Sequence, residues 1–407
     1  MTKSKWTVMI YMAGDNSLYD AAKRDLAEMR AVGSSDDVNF VVLHDNKADV
    51  SAKRMRVLKD GKDEQIETLS AIDTGSPEQL VDFVDWAASM YPAERYALIL
   101  WSHGDGWQQS ELAVIAEKVL AENYNASERS VVNLPRVLFR STWEKMLAKS
   151  TPTTRAICYD DNSGHSLDAV ELGKALGEIK DKLGQKLDVL GMDACLMSSL
   201  EVGVEVQPFV KCWVAAEEVT PDVGWAYDVV LTKLKADPDM TARVVATMLV
   251  KEYVASVRAT GFKGNVTLTA YDLDKLDELT AGVNALATRL TALMTTNESD
   301  IRVALQKTAG FCNNTLWDLG MFCHALMAAI NDATLHEAAQ QVLDALKPSE
   351  AGPLIAHAAK GKKVGACGGV SIYLPALRNT TLSEFYAKIR FAQNSQWLTF
   401  LQHFKDL

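Results

Sequence analysis

Apolar and polar positions alternate along the first half of the chain in a strand and helix rhythm. Short apolar runs that stop at glycine or polar turns predict buried strands, and apolar residues three and four apart predict helices. The strand-like runs are 6–13, 39–45, 95–107 (ending in a glycine-rich loop), 187–193 and 212–218, with a hairpin-like edge at 52–60; the helix-like runs are 18–31, 77–90, 166–180 and 195–206. This order predicts an α/β fold with a mainly parallel sheet and helices on both faces.

The second half of the chain is richer in helical patterns. Helices are predicted at 239–258, 273–296, 299–308, 315–331 and 334–347. Two strand-like runs, near 266–273 and 368–375, interrupt them. We therefore expect a core over 1–235 and a part over 236–407 that completes the sheet with those two strands. An appended helical region, a helix-rich C-terminal extension, is expected at about 275–350.

Composition narrows the class of protein. The 407 residues suit one large α/β domain with additions, or two domains, and 48% apolar with 23% charged residues is a globular balance. A net charge of −11 without a long basic run argues against nucleic-acid binding. No apolar run reaches the roughly 18 residues of a membrane span. The N-terminus lacks a signal-peptide pattern, so a cytoplasmic location without membrane contact is expected.

Two strand ends carry residues with chemical potential. One apolar run ends in Trp101-Ser102-His103-Gly104, and another ends in Gly191-Met192-Asp193-Ala194-Cys195. In open parallel sheets, function lies beyond the carboxyl ends of the strands. A histidine and a cysteine at two such ends make one candidate site.

A thiol beside an imidazole can act as a nucleophile. Free thiols have a pKa near ~8.5, and a helix N-terminus or a nearby imidazole favours the thiolate. Cys195 stands where a helix is predicted to begin, and His103 is positioned to act as base and then acid. The backbone N–H groups of Gly104 and Cys195 are the candidate oxyanion donors. The alternative is that Cys195 and His103 are packing residues, which is the commoner role of an isolated cysteine or histidine.

Seven ordered segments carry a combined pattern: WTVMIYMAGDNSL, YALILWSHGDGW, YDDNSGHSLDAVELGKAL, LDVLGMDACLMSSLEV, AAEEVTPDVGWAYD, TLWDLGMFCHAL and GGVSIYLP. Together they resemble the clostripain family of cysteine peptidases, which belongs to the caspase-like clan with gingipain, legumain and separase. The resemblance covers most of the chain, and the paired histidine and cysteine strand ends are its most specific part.

The resemblance implies a caspase-like α/β fold with residues 1–235 as its catalytic core. It implies a dyad of Cys195 as nucleophile and His103 as general base and acid, acting on protein or peptide substrates with Arg or Lys at P1. It also implies activation by a cut between the histidine and cysteine strands. Some relatives require calcium, but no metal-ligand motif is present in this sequence, and no other cofactor is expected.

Asp193, two residues before the cysteine, is a poor neighbour for a thiolate. The resemblance implies that it lies at the floor of the S1 pocket and pairs with the substrate's basic side chain, a charge-assisted and potentially bidentate contact. The alternative is that Asp193 caps the helix predicted to begin near Cys195.

The chain departs from the family pattern around the expected pocket. Ala216 replaces a common serine, and Val223 stands where some members carry a second S1 acid. Asp222, one residue earlier, is a possible substitute for that acid. Gly224 and Trp225 match the family, and Trp225 is expected either to wall the pocket against a basic side chain or to pack in the core.

Two features concern regulation. The segment 108–160 is longer than a tight connection requires, and Arg155 is the candidate self-cleavage residue within it. An alternative to an active peptidase is a latent or non-catalytic caspase-like module that needs a regulatory protein or ligand. A partner contact, if present, is expected in the region 275–350.

Overall fold

The computed structural model describes residues 3–49, 51–70, 72–107, 157–221, 223–375, 382 and 385–406. Its central element is a nine-stranded sheet with the order β11-β8-β7-β6-β5-β1-β2-β3-β4. The five central strands run parallel, and the two strands at each edge run antiparallel to their neighbours. These strands are β1 (Ser4–Gly14), β2 (Val38–Asn46), β3 (Lys53–Arg56), β4 (Glu64–Thr68), β5 (Ala93–Trp101), β6 (Leu187–Asp193), β7 (Val210–Ala215), β8 (Val266–Asp272) and β11 (Leu354–Lys360).

Helices cover both faces of this sheet, so the predicted α/β class is confirmed. Strands β2 and β6 are buried along their whole length and β1 from Trp6 onward, as expected of parallel strands between layers of helices. Among the described residues, no helix is both long and apolar enough to cross a bilayer. The helices are α1 (Tyr19–Val32), α2 (Pro77–Met90), α3 (Ala169–Leu183), α4 (Leu200–Val206), α5 (Tyr227–Ala236), α6 (Ala242–Ala259), α7 (Leu276–Gln306), α8 (Leu319–Ala329), α9 (Ala333–Ala345), α10 (Arg390–Asn394) and α11 (Trp397–Asp406).

A second, three-stranded sheet changes one prediction. β12 (Ser371–Tyr373) pairs with β10 (Leu316–Asp318), which pairs with β9 (Gly310–Phe311). The expectation that the strand near 368–375 completes the main sheet is therefore wrong. The edge position belongs instead to β11, which the sequence pattern did not predict.

Three helix predictions also need correction. The helices expected at 273–296 and 299–308 form the single element α7, which is interrupted at Asn297 by a non-helical φ of −127°. The helix expected over 315–331 begins later, because its first residues form β10 and Asp318 then caps α8. Helices α7 to α9 share one buried apolar core with a face of the main sheet.

The strand order creates a switch point beside β1. From β1 the chain moves through α1 to β2 on one side, and it later returns to β5 on the other side of β1. Helix α1 packs on one face of the sheet and helices α2 and α3 pack on the opposite face. In such sheets the crevice beyond the carboxyl ends at the switch point is the usual binding site.

Candidate active site

The two candidate strand ends lie side by side. β5 and β6 are parallel neighbours, and their last paired residues are Trp101 and Asp193. His103 and Cys195 each follow two residues later, at the same edge of the sheet. Both line one cleft. The pairing register thus brings together the two residues that the sequence singled out.

Gly104 sets how closely the two loops approach. A Cβ atom at this position would lie 2.5 Å from the carbonyl oxygen of Cys195 and 2.9 Å from the Cβ of Ala194. It would also lie 3.0 Å from the Sδ of Met197. Any side chain at residue 104 would therefore push the histidine loop away from the cysteine turn.

Cys195 does not begin a helix. It lies in a turn whose next residue, Leu196, has a φ of +62°, and α4 begins only at Leu200. Ser199 is the N-cap of α4, and its side chain accepts a hydrogen bond from the N–H of Val202. Two expectations are therefore wrong: the cysteine has no helix N-terminus of its own, and Asp193 does not cap this helix.

The half-buried thiol of Cys195 lies in an environment that disfavours the thiolate. Burial raises the pKa of Cys195 to about 12, the N–H of Thr220 at 3.3 Å from Sγ opposes this, and the carboxylate of Asp105 adds to it. A thiol with this pKa is protonated at neutral pH. In this conformation the cysteine is positioned for nucleophilic chemistry but is not ionised.

His103 is tied to the first βα loop. Its Nε2 lies 3.1 Å from the Oγ of Ser17, two residues before α1. The hydroxyl can donate to or accept from the ring, depending on the tautomer. Ser17 therefore helps to orient the imidazole, a role that no sequence pattern indicated.

Asp193 lines the cleft as a buried carboxyl group. Its Oδ2 accepts hydrogen bonds from the backbone N–H of Trp225 at 3.1 Å and from the hydroxyl of Tyr227 at 3.0 Å. Burial raises the pKa of Asp193 to about 7, although both hydrogen bonds oppose the shift. The carboxyl group is thus anchored on one oxygen and close to Cys195.

The segment after Asp222, which itself lies outside the described residues, closes this part of the cleft. Gly224 lines the cleft with a φ of +58°, a conformation that favours glycine. Trp225 is fully buried, and its ring packs so closely on β6 that a Cβ at Gly191 would lie 2.8 Å from it. Its contact with the strand agrees with the core-packing alternative, while its N–H anchors Asp193. Val223 is half-buried.

Sequence reasoning missed a second acid in the cleft. Asp25 is 1% exposed, and its Oδ2 accepts a hydrogen bond from the Nε1 of Trp101 at 2.7 Å. Burial raises its pKa to about 9, and the nearby carboxyl of Asp193 adds to the shift. The available signal was an aspartate on the apolar face of α1, between Ala22 and Leu26.

Two clusters among the described residues have metal-ligating side chains close together. In each, the ligand atoms lie within 4.8 Å of one another. The all-carboxylate cluster fits a hard cation such as Ca²⁺ in ligand chemistry, and Asp45 Oδ2 in it is buried without a hydrogen-bond partner among the described atoms. A calcium requirement of this chain stays an expectation from the family resemblance. The clusters are Asp15, Asp45 and Asp160, and Glu217, Asp318 and Cys367.

Comparison with known proteins places this site in a family. The sequence model of the clostripain family, peptidase family C11, matches residues 10–138 and 118–404. The chain belongs to the clostripain family of cysteine peptidases. Its curated relative clostripain from Hathewaya histolytica is 28% identical in an alignment 340 residues long, which covers 70% of this chain and 56% of that protein. The chain thus spans little more than half the length of that relative.

Solved structures of clostripain-family proteins show the same fold. A secreted C11 cysteine protease from Bacteroides thetaiotaomicron, bound to an irreversible peptide inhibitor, has a TM-score of 0.63 at 20% identity. It covers 98% of this chain and 99% of its own. An inactive zymogen C11 protease from Parabacteroides distasonis has a TM-score of 0.65 at 18% identity, covering 97% and 99%. The cytoplasmic location expected from the sequence stays a prediction.

Proposed function

We propose that this clostripain-family chain is a cysteine endopeptidase that cleaves peptide bonds after Arg or Lys. The observation that carries the proposal is the shared cleft of Cys195 and His103 at equivalent positions beyond paired strands. Asp193 lines the same cleft as a buried carboxyl group. A nucleophile, an acid–base residue and an anionic pocket are the three parts that such a reaction needs.

In the proposed reaction, Cys195 gives its proton to His103 and its Sγ attacks the scissile carbonyl carbon. The oxyanion is held by the N–H groups of Gly104 and Cys195. His103 then protonates the leaving amine as the C–N bond breaks, which leaves a thioester on Cys195. A water molecule that gives a proton to His103 hydrolyses the thioester and restores the thiol.

The P1 preference rests on Asp193. Its Oδ2 is already occupied by two donors, so its position is fixed before substrate arrives. A buried carboxyl group with a raised pKa gains most from a cation, because a nearby positive charge favours its ionised form. An Arg or Lys side chain entering the cleft supplies that charge.

The intact chain is proposed to be a latent form. The pKa of about 12 at Cys195 keeps the thiol protonated, and one structural neighbour is described as an inactive zymogen. Self-cleavage after Arg155, which lies outside the described residues, remains the candidate activating event. Ile157, two residues further on, forms β-bridges with both Gly104 and Leu167.

The rival proposal is a non-catalytic binding or regulatory module. It draws support from the unionised thiol and from Val223 at the position of a second acid in some members. A regulatory contact expected within 275–350 would be supported by an apolar surface stripe. Of the described large apolar residues in that region, Val303 alone is markedly exposed. The helical region therefore gives little support to the rival.

The deciding experiment uses matched fluorogenic peptides with Arg, Lys, Asp or Ala at P1. We expect the wild type to cleave the Arg and Lys peptides and Cys195→Ala to cleave none. Gel electrophoresis before and after incubation reports self-cleavage, and iodoacetamide labelling reports the reactivity of Cys195. Cleavage retained in Cys195→Ala would remove the mechanism. Absence of both cleavage and fast labelling, before and after processing, would favour the binding module.

A further inference from the structure

We infer that Asp25 of α1 is a second carboxylate of the basic P1 pocket, paired with Asp193 and replacing the acid that is absent at Val223. The inference deepens the proposed function and rests on it for the word P1. It makes Asp25 a specificity-determining residue contributed by the first helix. It also favours arginine over lysine as the preferred basic side chain.

The first argument is position. Ala21 and Asp25 lie four residues apart on one face of α1, and they line the cleft with Cys195 together with Leu18, the N-cap residue of the helix. Among the described residues that line this cleft there is no lysine or arginine. The pocket therefore holds two acids without a resident cation in its lining.

The second argument is the proximity of the two carboxylates. A Cβ atom built on Gly224 would lie 2.9 Å from Oδ2 of Asp25 and 3.4 Å from Oδ2 of Asp193. Both acids therefore face one point in the cleft wall, where only a residue without a side chain fits. A side chain at residue 224 would contact both carboxyl groups.

The third argument is how each carboxyl is held. Asp25 receives its hydrogen bond from Trp101 on Oδ2, and Asp193 receives both of its hydrogen bonds on Oδ2. Within the described part of the chain, no hydrogen bond to either Oδ1 is found. One oxygen of each acid is thus fixed, and the other remains for a ligand. A guanidinium has five N–H donors in a planar fork and can reach both acids, whereas an ammonium is a single point.

Charge explains why a cation belongs here. Two buried carboxyl groups close together cannot both ionise without a nearby cation, so one or both retain a proton. The pKa of Asp25 is raised to about 9, mainly by burial and then by Asp193, and that of Asp193 to about 7. Glu28 adds negative charge to both, Arg24 opposes the shift at Asp25, and Tyr227 donates to Asp193. A bound cation reverses this balance and releases a proton.

The test measures ligand binding rather than catalysis, in a Cys195→Ala full-length background. Butylguanidinium, butylammonium and neutral butylurea represent arginine, lysine and an uncharged isostere. We expect calorimetry at pH 8 to show butylguanidinium binding with proton release. Asp25→Asn should weaken it about 10- to 100-fold, the range expected for losing a charged hydrogen-bonding partner. It should also remove most of the proton release and weaken butylammonium less, with butylurea unaffected.

Asp25→Asn keeps an oxygen that can accept the hydrogen bond from Trp101. If Asp25 had only a structural role, butylguanidinium binding and proton release would therefore be unchanged in this variant. Asp20→Asn is the matched control, because it makes the same substitution at an exposed position of the same helix. Thermal melting confirms folding of each variant. Equal butylguanidinium binding by wild type and Asp25→Asn, or no binding by either, overturns the inference. If butylguanidinium binding depends on Asp25 but the wild-type protein cleaves no peptide, the peptidase proposal alone would be contradicted.

Discussion

At the residue scale, single atoms decide whether the two halves of the candidate site meet. Two residues after Gly104, Gly106 has a positive φ, so the histidine loop turns sharply as it passes the cysteine turn. Neither glycine contributes a side chain. Both lack a Cβ where the backbone of the turn after β6 comes within contact distance. The same loop therefore has a packing requirement as well as the proposed oxyanion role.

Gly104→Ala is expected to lower kcat/KM about 100-fold, because a displacement of about 1 Å at a reacting site costs that much. The new methyl group would otherwise lie 2.5 Å from the carbonyl oxygen of Cys195. Peptide cleavage and melting temperature are measured together. Gly177→Ala in α3 is the control, since its Cβ would meet the ring of Phe209 at an ordinary 3.4 Å. Full activity of Gly104→Ala would show that the two loops separate without consequence.

At the element scale, helix α4 shows what the sequence could and could not predict. The run over 187–193 predicts a strand with the observed bounds, because it is short and mostly apolar and is bounded by turn residues. The helix start was predicted five residues too early. The apolar spacing continues through the turn, and the φ of +62° at Leu196 is set by tertiary contacts. The cap at Ser199 was visible only as one of two adjacent serines.

A contrasting case is α3, whose cap is local. Asp168 accepts from the N–H of Glu171, and Glu171 accepts from the N–H of Asp168, forming a capping box that a sequence pattern can reveal. Asp25 illustrates the opposite limit. Its partners Trp101, Asp193 and Gly224 come from distant parts of the chain. Local patterns predicted the strand ends and the dyad candidates, but not the residues that meet them across the fold.

Ser199→Ala is expected to destabilise the protein by about 1 kcal/mol, the usual cost of losing an N-cap, without changing the pH profile of Cys195 labelling. The reason is that α4 begins beyond the cysteine turn. Denaturant unfolding and iodoacetamide labelling are measured in parallel. Thr241→Ala, which removes the cap of α6, is the matched control. A labelling profile displaced in Ser199→Ala alone would show that the helix terminus does act on the thiol.

At the scale of the whole molecule, the switch point beside β1 gathers contributions from separate parts of the chain. The loop after β1 supplies Ser17 to His103, and α1 supplies Asp25. β5 and β6 supply the proposed dyad, and the segment after β7 supplies Thr220 and Gly224. The thiol of Cys195 is protonated because of these surroundings, since burial and the nearby carboxylates together raise its pKa. Activation therefore requires a change of surroundings rather than of the thiol itself.

Cleavage after Arg155 is expected to bring about that change through Ile157, which bridges to Gly104 beside His103 and to Leu167. Before cleavage, a thiol with a pKa of about 12 should label slowly, with a rate that is still rising at pH 9. After cleavage, a nearby imidazolium should favour the thiolate, and the rise should move toward neutral pH. Arg155→Ala should retain the slow labelling profile. Arg140→Ala replaces another arginine of the same connection and should still undergo self-cleavage. Labelling rates from pH 6 to 10 and the intact mass are followed during incubation. An uncut wild type that already labels fast at pH 7 would show that the intact chain is not latent. Fast labelling of uncut Arg155→Ala would show that the reactivity of the thiol does not depend on this cleavage.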